Sequence, residues 1–464
     1  MKLTTIIYKE KKNMWKAFFN IFKVKELRSR LLFTALIIVL VRIACNIPCP
    51  GVNAVALEKY MAELAANAGG GLLGTLSLFS GGALEKFAIG ALGIMPYITA
   101  SIVIQLLTPV LPVLEKMKRE GESGHQKLNQ YTRYLTIIVC VVQGAVVAMT
   151  MVNPGNFGLP PATEVLFVGN QKLFVIMSIL VITCTTMLFM WLGEQITERG
   201  IGNGVSLIIT INIIARMPDA VIELVRMTAG GETAAGTSFK LIHLLLLLVL
   251  FAVVTAATIM LSQGYRRVPI QMVRKTVGNQ MSGGATYMPL KVNFAGVMPI
   301  IFAGAILMIP GALFGYLHWY KAAAFFQQGS WGYMLTEGVL IFAFTYFWVA
   351  NQFNPLQIAD NLKKEGAYIP GISPGEATSK FLDHTMTKVT FGGAVFLVVL
   401  ALFPMFLYVN MNIPFMVAQF FGGTSLLIMV GVTLDTVSQL ESHLAMRHYD
   451  GFLKSGRLRS RNSH

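Results

Sequence analysis

Residues Leu241–Leu261 read LIHLLLLLVLFAVVTAATIML, and His243 is the one residue among them that can carry a charge. A helix needs about 20 apolar residues to cross a bilayer, so this stretch predicts a membrane-spanning helix. The whole chain of 464 residues agrees, because 55% of it is hydrophobic and only 13% is charged. Soluble proteins carry about 25% charged residues. The composition therefore excludes a water-soluble globule, a disordered chain and a fibre, and it predicts a polytopic membrane protein.

Nine other segments are candidates for further spans, and hydropathy divides them into two groups. Six are long and apolar enough to pass easily: Phe87–Val113, Tyr134–Val152, Leu173–Leu192, Val292–Leu317, Val389–Val409 and Phe415–Val437. Three are marginal, because they are short or contain a charge: Leu31–Pro48, Ile201–Met217 and Tyr333–Phe353. Hydropathy alone therefore leaves between seven and ten spans.

The distribution of basic residues decides this count. With ten spans and the N-terminus inside, 29 of the 37 Lys and Arg residues fall on the cytoplasmic side and 7 fall outside, while Arg42 lies within the first span. Cytoplasmic loops of membrane proteins carry such an excess of Lys and Arg. We therefore predict an all-α protein with ten transmembrane helices and both termini in the cytoplasm. The helices form two five-helix halves of opposite orientation, residues 31–217 and 218–440. An inverted repeat divides a chain in this way.

The cytoplasmic segments differ in what they predict. Residues 1–30 are basic and include the aromatic stretch Met14–Val24, which favours a helix lying in the headgroup region over a plain basic tail. Residues 441–464 form a second basic tail. The loops 262–291 and 354–388 are long and contain clustered charges, and long loops in compact proteins are usually functional or disordered.

The spans contain few groups that could carry out chemistry. An ion-coupled carrier or a membrane-embedded enzyme needs ionisable side chains at membrane depth, where they are costly and retained for function. Arg42 is the one candidate, and its place near the outer end of a span favours snorkelling over gating. The run GIGNG at 200–204 lacks the Lys-Ser/Thr of a phosphate-binding loop, so we interpret it as a tight turn between two helix ends.

Catalytic and metal-binding patterns are equally weak in the sequence. The seven histidines are dispersed, and the four cysteines lack the partners and spacing of a zinc site. We therefore predict no enzyme activity, no cofactor and no metal. A solute carrier and a membrane-embedded enzyme remain as alternatives, distinguished by a polar midplane in the first case and by catalytic pairs within spans in the second.

Two pairs of aliphatic residues have helical spacing. Ile94 and Ile98 are four residues apart, as are Val205 and Ile209, so each pair shares one helix face. The glycines and the proline at 90, 93 and 96 loosen the first of these helices. From the spacing alone, such positions are most often buried in a helix core or face lipid.

Seven motifs together are far more specific than any of these features. They are FSGGAL at 79–84, ALGIMPYITASI at 91–102, KREGESG at 118–124, MWLGEQITERGIGNGVS at 190–206, LKVNFAGVMP at 290–299, PLQIADNL at 355–362 and FGGTSLLI at 421–428. This set closely resembles bacterial members of the SecY family, the central subunits of the protein-conducting channel. The likeness runs from about Ser29 to Phe452.

The resemblance implies an hourglass-shaped central pore with a constricting ring and a plug. The ring residues would be Ile94, Ile98, Val205, Ile209, Met298 and Ile428. The plug helix would lie within about residues 72–84 and include Leu72, Leu73, Leu76, Leu78, Phe79, Ser80, Gly81 and Gly82. A lateral gate would open between the second and third spans on one side and the seventh and eighth on the other.

The resemblance also implies partners and a location. The partners would be the SecE and SecG subunits, the SecA motor ATPase, the ribosome, secretory preproteins with signal peptides, and membrane lipids, all at a bacterial plasma membrane. The basic residues of the two long loops would dock the ribosome or motor: Arg266, Arg267, Arg274, Lys275, Lys363 and Lys364. In the alternative, these basic residues only set the topology and contact lipid headgroups. That alternative explains the charge of the loops but not their length.

The sequence departs from the family pattern in two places. Ser373 occupies the position where the family normally has an arginine that matters for work with the motor, which puts a docking contact there in doubt. Val205 and Met298 replace the commoner isoleucine in the ring. Both are uncharged, so we expect the ring to seal.

Overall fold

A computed structural model describes residues 25–67, 77, 79–154, 165–228, 241–272, 275–277, 280–282, 285–316, 319–326, 329–411 and 413–455. The helices of the first half are α1 (Lys25–Ala44), α2 (Ala54–Asn67), α3 (Met95–Leu107), α4 (Pro112–Arg119), α5 (Glu122–Val152), α6 (Gln171–Arg199), α7 (Gly204–Ala215) and α8 (Met217–Thr228). Those of the second half are α9 (Leu241–Gln263), α10 (Met298–Tyr316), α11 (Tyr320–Phe325), α12 (Trp331–Gln352), α13 (Pro355–Lys364), α14 (Glu376–Met411), α15 (Phe415–Phe420) and α16 (Gly423–Ser455).

Each of the ten predicted spans overlaps one of these helices. Within the described residues, seven helices are long and apolar enough to cross a bilayer, or eight when the bent pair α3–α4 is taken as one span. The fold is thus a mostly helical, multi-pass membrane protein. A ten-helix count is consistent with it, with α1 and α10 supplying the remaining two.

The second predicted span is helical only in part. We expected it to begin at Phe87, but residues 81–94 form turns and α3 begins at Met95. Gly81, Gly82 and Gly93 have φ values of +66°, +85° and +57°, a region that favours glycine and interrupts a helix. Pro96 in the first turn of α3 then starts the helix, because its missing N–H is not needed there.

The run at 200–204 is the tight turn that its glycines predict. Gly202 has a φ of +86°, and a Cβ on Gly200 would lie 2.5 Å from Oγ1 of Thr34. The side chain of Asn203 then caps α7 by accepting a hydrogen bond of 3.2 Å from the backbone N–H of Ser206. The turn brings the end of α6 against the start of α7 and α1.

The two long loops are not merely irregular. The loop 262–291 contains the strands β1 (Tyr265–Met272), β2 (Lys275–Val277), β3 (Gln280–Ser282) and β4 (Ala285–Lys291), and the other loop contributes β5 (Ala367–Tyr368). β1 pairs with β4 and β5 in one antiparallel sheet, in the order β4-β1-β5, and β2 pairs with β3. The sequence analysis treated these residues as loop and expected only helices, so the sheet is an addition to the all-α prediction.

The two halves contact each other mainly on one side. α7 packs against α16 and α8 packs against α15, while α3 packs on α5 and α10 packs on α12. No extensive contact joins the pair α3 and α5 to the pair α10 and α12 in the described part of the chain. Close packing between the halves is therefore concentrated where α7 and α8 meet α15 and α16 in the described part of the chain.

Several sequence predictions concern residues outside the described ranges. The amphipathic stretch at 14–24, the plug residues Leu72, Leu73, Leu76 and Leu78, and Arg274 all lie there. In the predicted C-terminal tail, α16 continues as a helix as far as Ser455.

Candidate functional site

The six candidate ring residues come from the first turns of four helices. Ile94 caps α3 and its carbonyl accepts a 3.2 Å hydrogen bond from the backbone N–H of Ile98. Val205 and Ile209 lie on the first two turns of α7, and Met298 is the first residue of α10. Ile428 lies on the second turn of α16.

These residues belong to one hydrophobic cluster. Ile94, Ile98, Ile209 and Ile428 are buried, and the partly buried Val205 and Met298 pack against the same cluster. Residues separated by up to 334 positions in the chain thus share one cluster, which also includes buried residues of α1, α6, α9, α12 and α14. Side chains of this kind offer no ligand to an ion, and a narrow neck lined by them resists wetting.

Ser77 and residues 79–86, which we call the plug segment, lie against the end of α1, the end of α7 and the start of α8. Both terminal nitrogens of Arg42 donate to the carbonyl of Gly81 at 3.3 Å, and Nη1 also donates to Oδ1 of Asn212 at 3.3 Å. Nδ2 of Asn212 in turn donates to the carbonyl of Phe79 at 3.1 Å. Arg42 and Asn212 therefore hold the plug-segment backbone at Gly81 and Phe79.

A second arginine holds the ends of the same segment. Nη2 of Arg216, which lies between α7 and α8, donates to Oγ of Ser77 at 2.7 Å and forms an ion pair with Glu85. Ser77 also donates to Oε1 of Glu85 at 2.6 Å. Nη1 of Arg216 pairs with Oδ2 of Asp219 at 3.0 Å. The guanidinium thus bridges the plug segment and α8.

The glycines of the plug segment make these contacts possible. A Cβ on Gly81 would collide with the guanidinium of Arg42, and a Cβ on Gly82 would lie 3.1 Å from Cζ of Arg216. Both glycines also have positive φ. The predicted plug helix does not continue to Leu84. Phe79 and Ser80 are helical, and Gly81 and Gly82 begin a turn.

The snorkelling predicted for Arg42 is wrong. Its side chain is half-buried and bonded to the plug segment, because its place at the last turn of α1 faces Gly81 and Asn212. The sequence analysis also missed Asn212 and Arg216. The available signal was Asn212, a polar residue inside the apolar run of α7. Its partner, the carbonyl of Phe79, lies 133 positions away.

A polar cleft lies beside the ring at the start of α7. It has a volume of about 360 Å³ and is lined by Asn203, Ser206, Asp435, Thr436 and Gln439, among others. Asn203 and Ser206 flank Val205 in the sequence, but none of the six candidate ring residues lines the cleft.

Comparison with known proteins places this geometry in a family. The model of the SecY family matches residues 88–437. The chain belongs to the SecY family. The protein translocase subunit SecY of Thermotoga maritima is 40% identical over 452 residues, which cover 97% of this chain and 100% of that protein. The SecY subunit of Chlamydia muridarum is 39% identical over 455 residues, covering 95% and 99%.

Solved structures support the SecY fold at lower sequence similarity. A structure described as that of a protein conducting channel superposes with a TM-score of 0.57 at 16% identity, covering 92% of this chain and 94% of the other. A structure concerned with the plug domain of the SecY protein gives a TM-score of 0.57 at 17% identity over the same shares. A ribosome-bound canine Sec61 channel gives 0.55 at 15% identity, with the same coverage.

Four of the candidate docking residues of this SecY-family chain lie on one platform, made of the sheet β4-β1-β5 and the end of α13. Arg266 and Arg267 are exposed on β1, where the guanidinium of Arg267 lies 5.3 Å from the ring centre of Tyr265. Lys363 and Lys364 are exposed at the end of α13, directly before β5. Because β5 pairs with β1, the sheet joins both long loops. Lys275 lies on β2.

Two further positions bear on the SecY pattern. Ser373 is exposed, and its carbonyl accepts a 2.9 Å hydrogen bond from Oγ1 of Thr378, so the loop before α14 is held by backbone contacts. Glu337 in α12 is buried at 7% exposure, and its Oε2 has no hydrogen-bond partner among the described residues. It lies between the buried Tyr333 and Ile341 on one helix face, away from the ring cluster.

Proposed function

We propose that in this protein-conducting channel the polypeptide passes through the ring formed by Ile94, Ile98, Val205, Ile209, Met298 and Ile428. The observation that carries the proposal is that bulky aliphatic side chains from four helices meet in one cluster. Such side chains make no directional bonds, so chains of any sequence can slide past them without being trapped. The same ring excludes ions at rest by shedding water from a narrow neck.

The plug segment closes the outer side of this ring, in the proposal. Its support is the seat built by Arg42, Asn212 and Arg216, which holds the segment against α1, α7 and α8. An entering polypeptide displaces the segment and occupies the constriction in its place. This gives the channel a closed state that needs no energy-coupling group of its own.

Signal peptides leave the proposed channel sideways through a seam that has α3 and α5 on one side and α10 and α12 on the other. The support is that no extensive contact joins α3 and α5 to α10 and α12 among the described residues, whereas α7 packs against α16. A signal peptide is an apolar helix, so it partitions from the opened seam into lipid by hydrophobic transfer.

The proposed setting is a bacterial plasma membrane with both termini in the cytoplasm. SecE and SecG are the proposed membrane partners. The ribosome and the SecA motor are the proposed sources of substrate and driving force, since this chain contains no energy-coupling site in our assignment. Secretory preproteins are the substrates, and membrane lipids receive the helices that leave through the gate.

Crosslinking of a stalled secretory chain tests the path. Cysteines at Ile94 and Ile209, in a background where Cys45, Cys49, Cys140 and Cys184 are replaced, should both crosslink to a cysteine in the stalled chain. A cysteine at the exposed Leu180 of α6 is the matched control and should not react. A chain that meets Leu180 but neither ring position would overturn the assignment of the pore.

Reversing the charge of Arg266 and Arg267 tests the docking platform. Exposed arginines bind RNA phosphates electrostatically, and each lost phosphate contact lowers the salt dependence of binding by about one unit of slope. The double variant to glutamate should therefore bind ribosomes about ten-fold more weakly or worse at low salt, with a shallower salt dependence. Cosedimentation measures this. Arg226→Glu on α8, which we assign to the outer face, is the control, and an equal loss there would contradict specific docking.

A further inference from the structure

Arg216 connects the plug segment to α8. Its side chain is only 11% exposed and contacts Ser77 and Glu85 on one side and Asp219 on the other. Ser77 and Glu85 stand at the two ends of a turn, and the backbone N–H of Gly82 donates to the carbonyl of Ser77 at 2.9 Å. One guanidinium therefore clamps both ends of the turn.

We propose that Arg216, Glu85 and Ser77 form an electrostatic latch that sets how often the channel opens at rest. The proposal rests on the proposed function of the plug segment as the closure of the pore. The residues of the latch are not ring residues. The latch therefore controls the movement of the plug without placing a charge in the path of the polypeptide. The latch and the ring are then two separate barriers to leakage.

The arrangement of acceptors makes the latch reversible. A buried guanidinium that lost every partner would be very costly, and the plug would then never leave. Asp219 lies on α8 and keeps its contact with Arg216 when Glu85 departs. The charge on Arg216 thus stays paired in both states, and opening costs the difference between three acceptors (Ser77, Glu85 and Asp219) and Asp219 alone.

The pair Arg42 and Asn212 contributes differently. Both contact backbone carbonyls of the plug segment, those of Gly81 and Phe79. These bonds position the turn but do not involve a charge on the plug. Glu85 is the charged member that the plug itself brings, and with 42% of its side chain exposed it is open to screening by salt.

The test is the opening frequency of single channels of the purified complex in planar bilayers. Glu85→Gln removes one charge from the latch while leaving a side chain of the same shape, and we expect about ten-fold more frequent opening, because charge-assisted hydrogen bonds are roughly twice as strong as neutral ones. Arg216→Gln should have a similar effect, and the double variant should add little to either single variant. High salt should raise the opening frequency of the wild type and leave Glu85→Gln nearly unchanged.

Glu223→Gln is the matched control. Glu223 pairs with Arg226 on the same helix, 3.7 Å apart, and neither residue contacts the described plug segment. It should open as rarely as the wild type. Equal opening of Glu85→Gln and Glu223→Gln would overturn the latch.

The failure of the latch can be told apart from failure of the proposed function. If Ile98→Gly conducts and the stalled chain crosslinks to the ring, the channel stands, and an unchanged Glu85→Gln rejects the latch alone. If neither Ile98→Gly nor any latch variant conducts and the ring is not crosslinked, both proposals are overturned. Glu85 lies in a turn and its side chain is partly exposed, so Glu85→Gln should not disturb the core. Copurification of the partner subunits checks that the variant folds.

Discussion

Replacing Ile98 by glycine should raise the resting ion leak of the channel about ten-fold or more, because the buried side chain of a large aliphatic residue contributes about 1.5–3 kcal/mol of apolar burial. Ile98 is buried in the ring cluster, one helical turn from Ile94. Glycine removes all four side-chain carbons, so the neck widens and water can enter it. A wetted neck no longer presents a barrier to small ions.

Conductance of purified channels in planar bilayers, without substrate, measures this leak. Glycine also weakens a helix by about 1 kcal/mol relative to alanine, so the control must carry the same backbone penalty. Ile138→Gly in α5 meets this requirement, because Ile138 is a highly exposed residue on a membrane-spanning helix. Equal leak in wild type and Ile98→Gly would refute the sealing role of the ring. Equal leak in the two glycine variants would assign the effect to the backbone.

The spans were predictable because they depend on local composition. Each run of about 20 apolar residues must form a helix in lipid, where every backbone polar group needs an internal partner. The same reasoning found the turn at 200–204 from its glycines. It placed the start of the second span too early, because the apolar residues 87–94 pack as turns beneath the plug segment and hydropathy does not distinguish the two states.

The contacts that hold the plug segment were not predictable in the same way. Arg42, Asn212 and Arg216 each lie in or beside an apolar helix, and the residues they bind are 39 to 139 positions away. A sequence shows that such a residue is costly in a membrane but not which group satisfies it. Snorkelling was therefore assigned to Arg42 although a partner existed.

The strands of the platform have a signal in the sequence. In β1 the buried residues Val268 and Ile270 alternate with exposed ones, which is the period of a strand with one covered face. The run is short and contains Pro269, so it resembles a loop. Its pairing with β5, which joins the two loops, depends on residues about 100 positions apart.

Gly204→Ala should prevent the chain from assembling normally, and we expect a loss of stability of about 3 kcal/mol or more, at the upper end of overpacking effects. A Cβ on Gly204 would collide with the carbonyl oxygen of Gly193 and lie 2.7 Å from its carbonyl carbon and 2.8 Å from Cβ of Ile196. Two of these three atoms are backbone atoms of α6, which cannot rotate away as the end of a flexible side chain can. The helices α6 and α7 must therefore separate.

Separation of α6 and α7 would also displace residues of the ring. Val205 follows Gly204 directly and Ile209 lies one turn further along α7, so both ring residues move with the start of that helix. Any Gly204→Ala protein that does fold should therefore leak ions as Ile98→Gly does. The yield of complex that copurifies with its partner subunits, its thermal midpoint in detergent and its bilayer conductance measure the two effects separately.

Gly431→Ala in α16 is the control for this substitution. A Cβ on Gly431 would meet nothing within 4 Å, so alanine there should leave the complex intact and stabilise the helix by about 1 kcal/mol at most. The contrast isolates the contact with Gly193 from the general effect of removing a glycine. If both variants gave the same yield, thermal midpoint and conductance, the close approach of α6 and α7 would not be what holds Val205 and Ile209 in the ring, and their position would have to come from α16 packing against α7 from the other half.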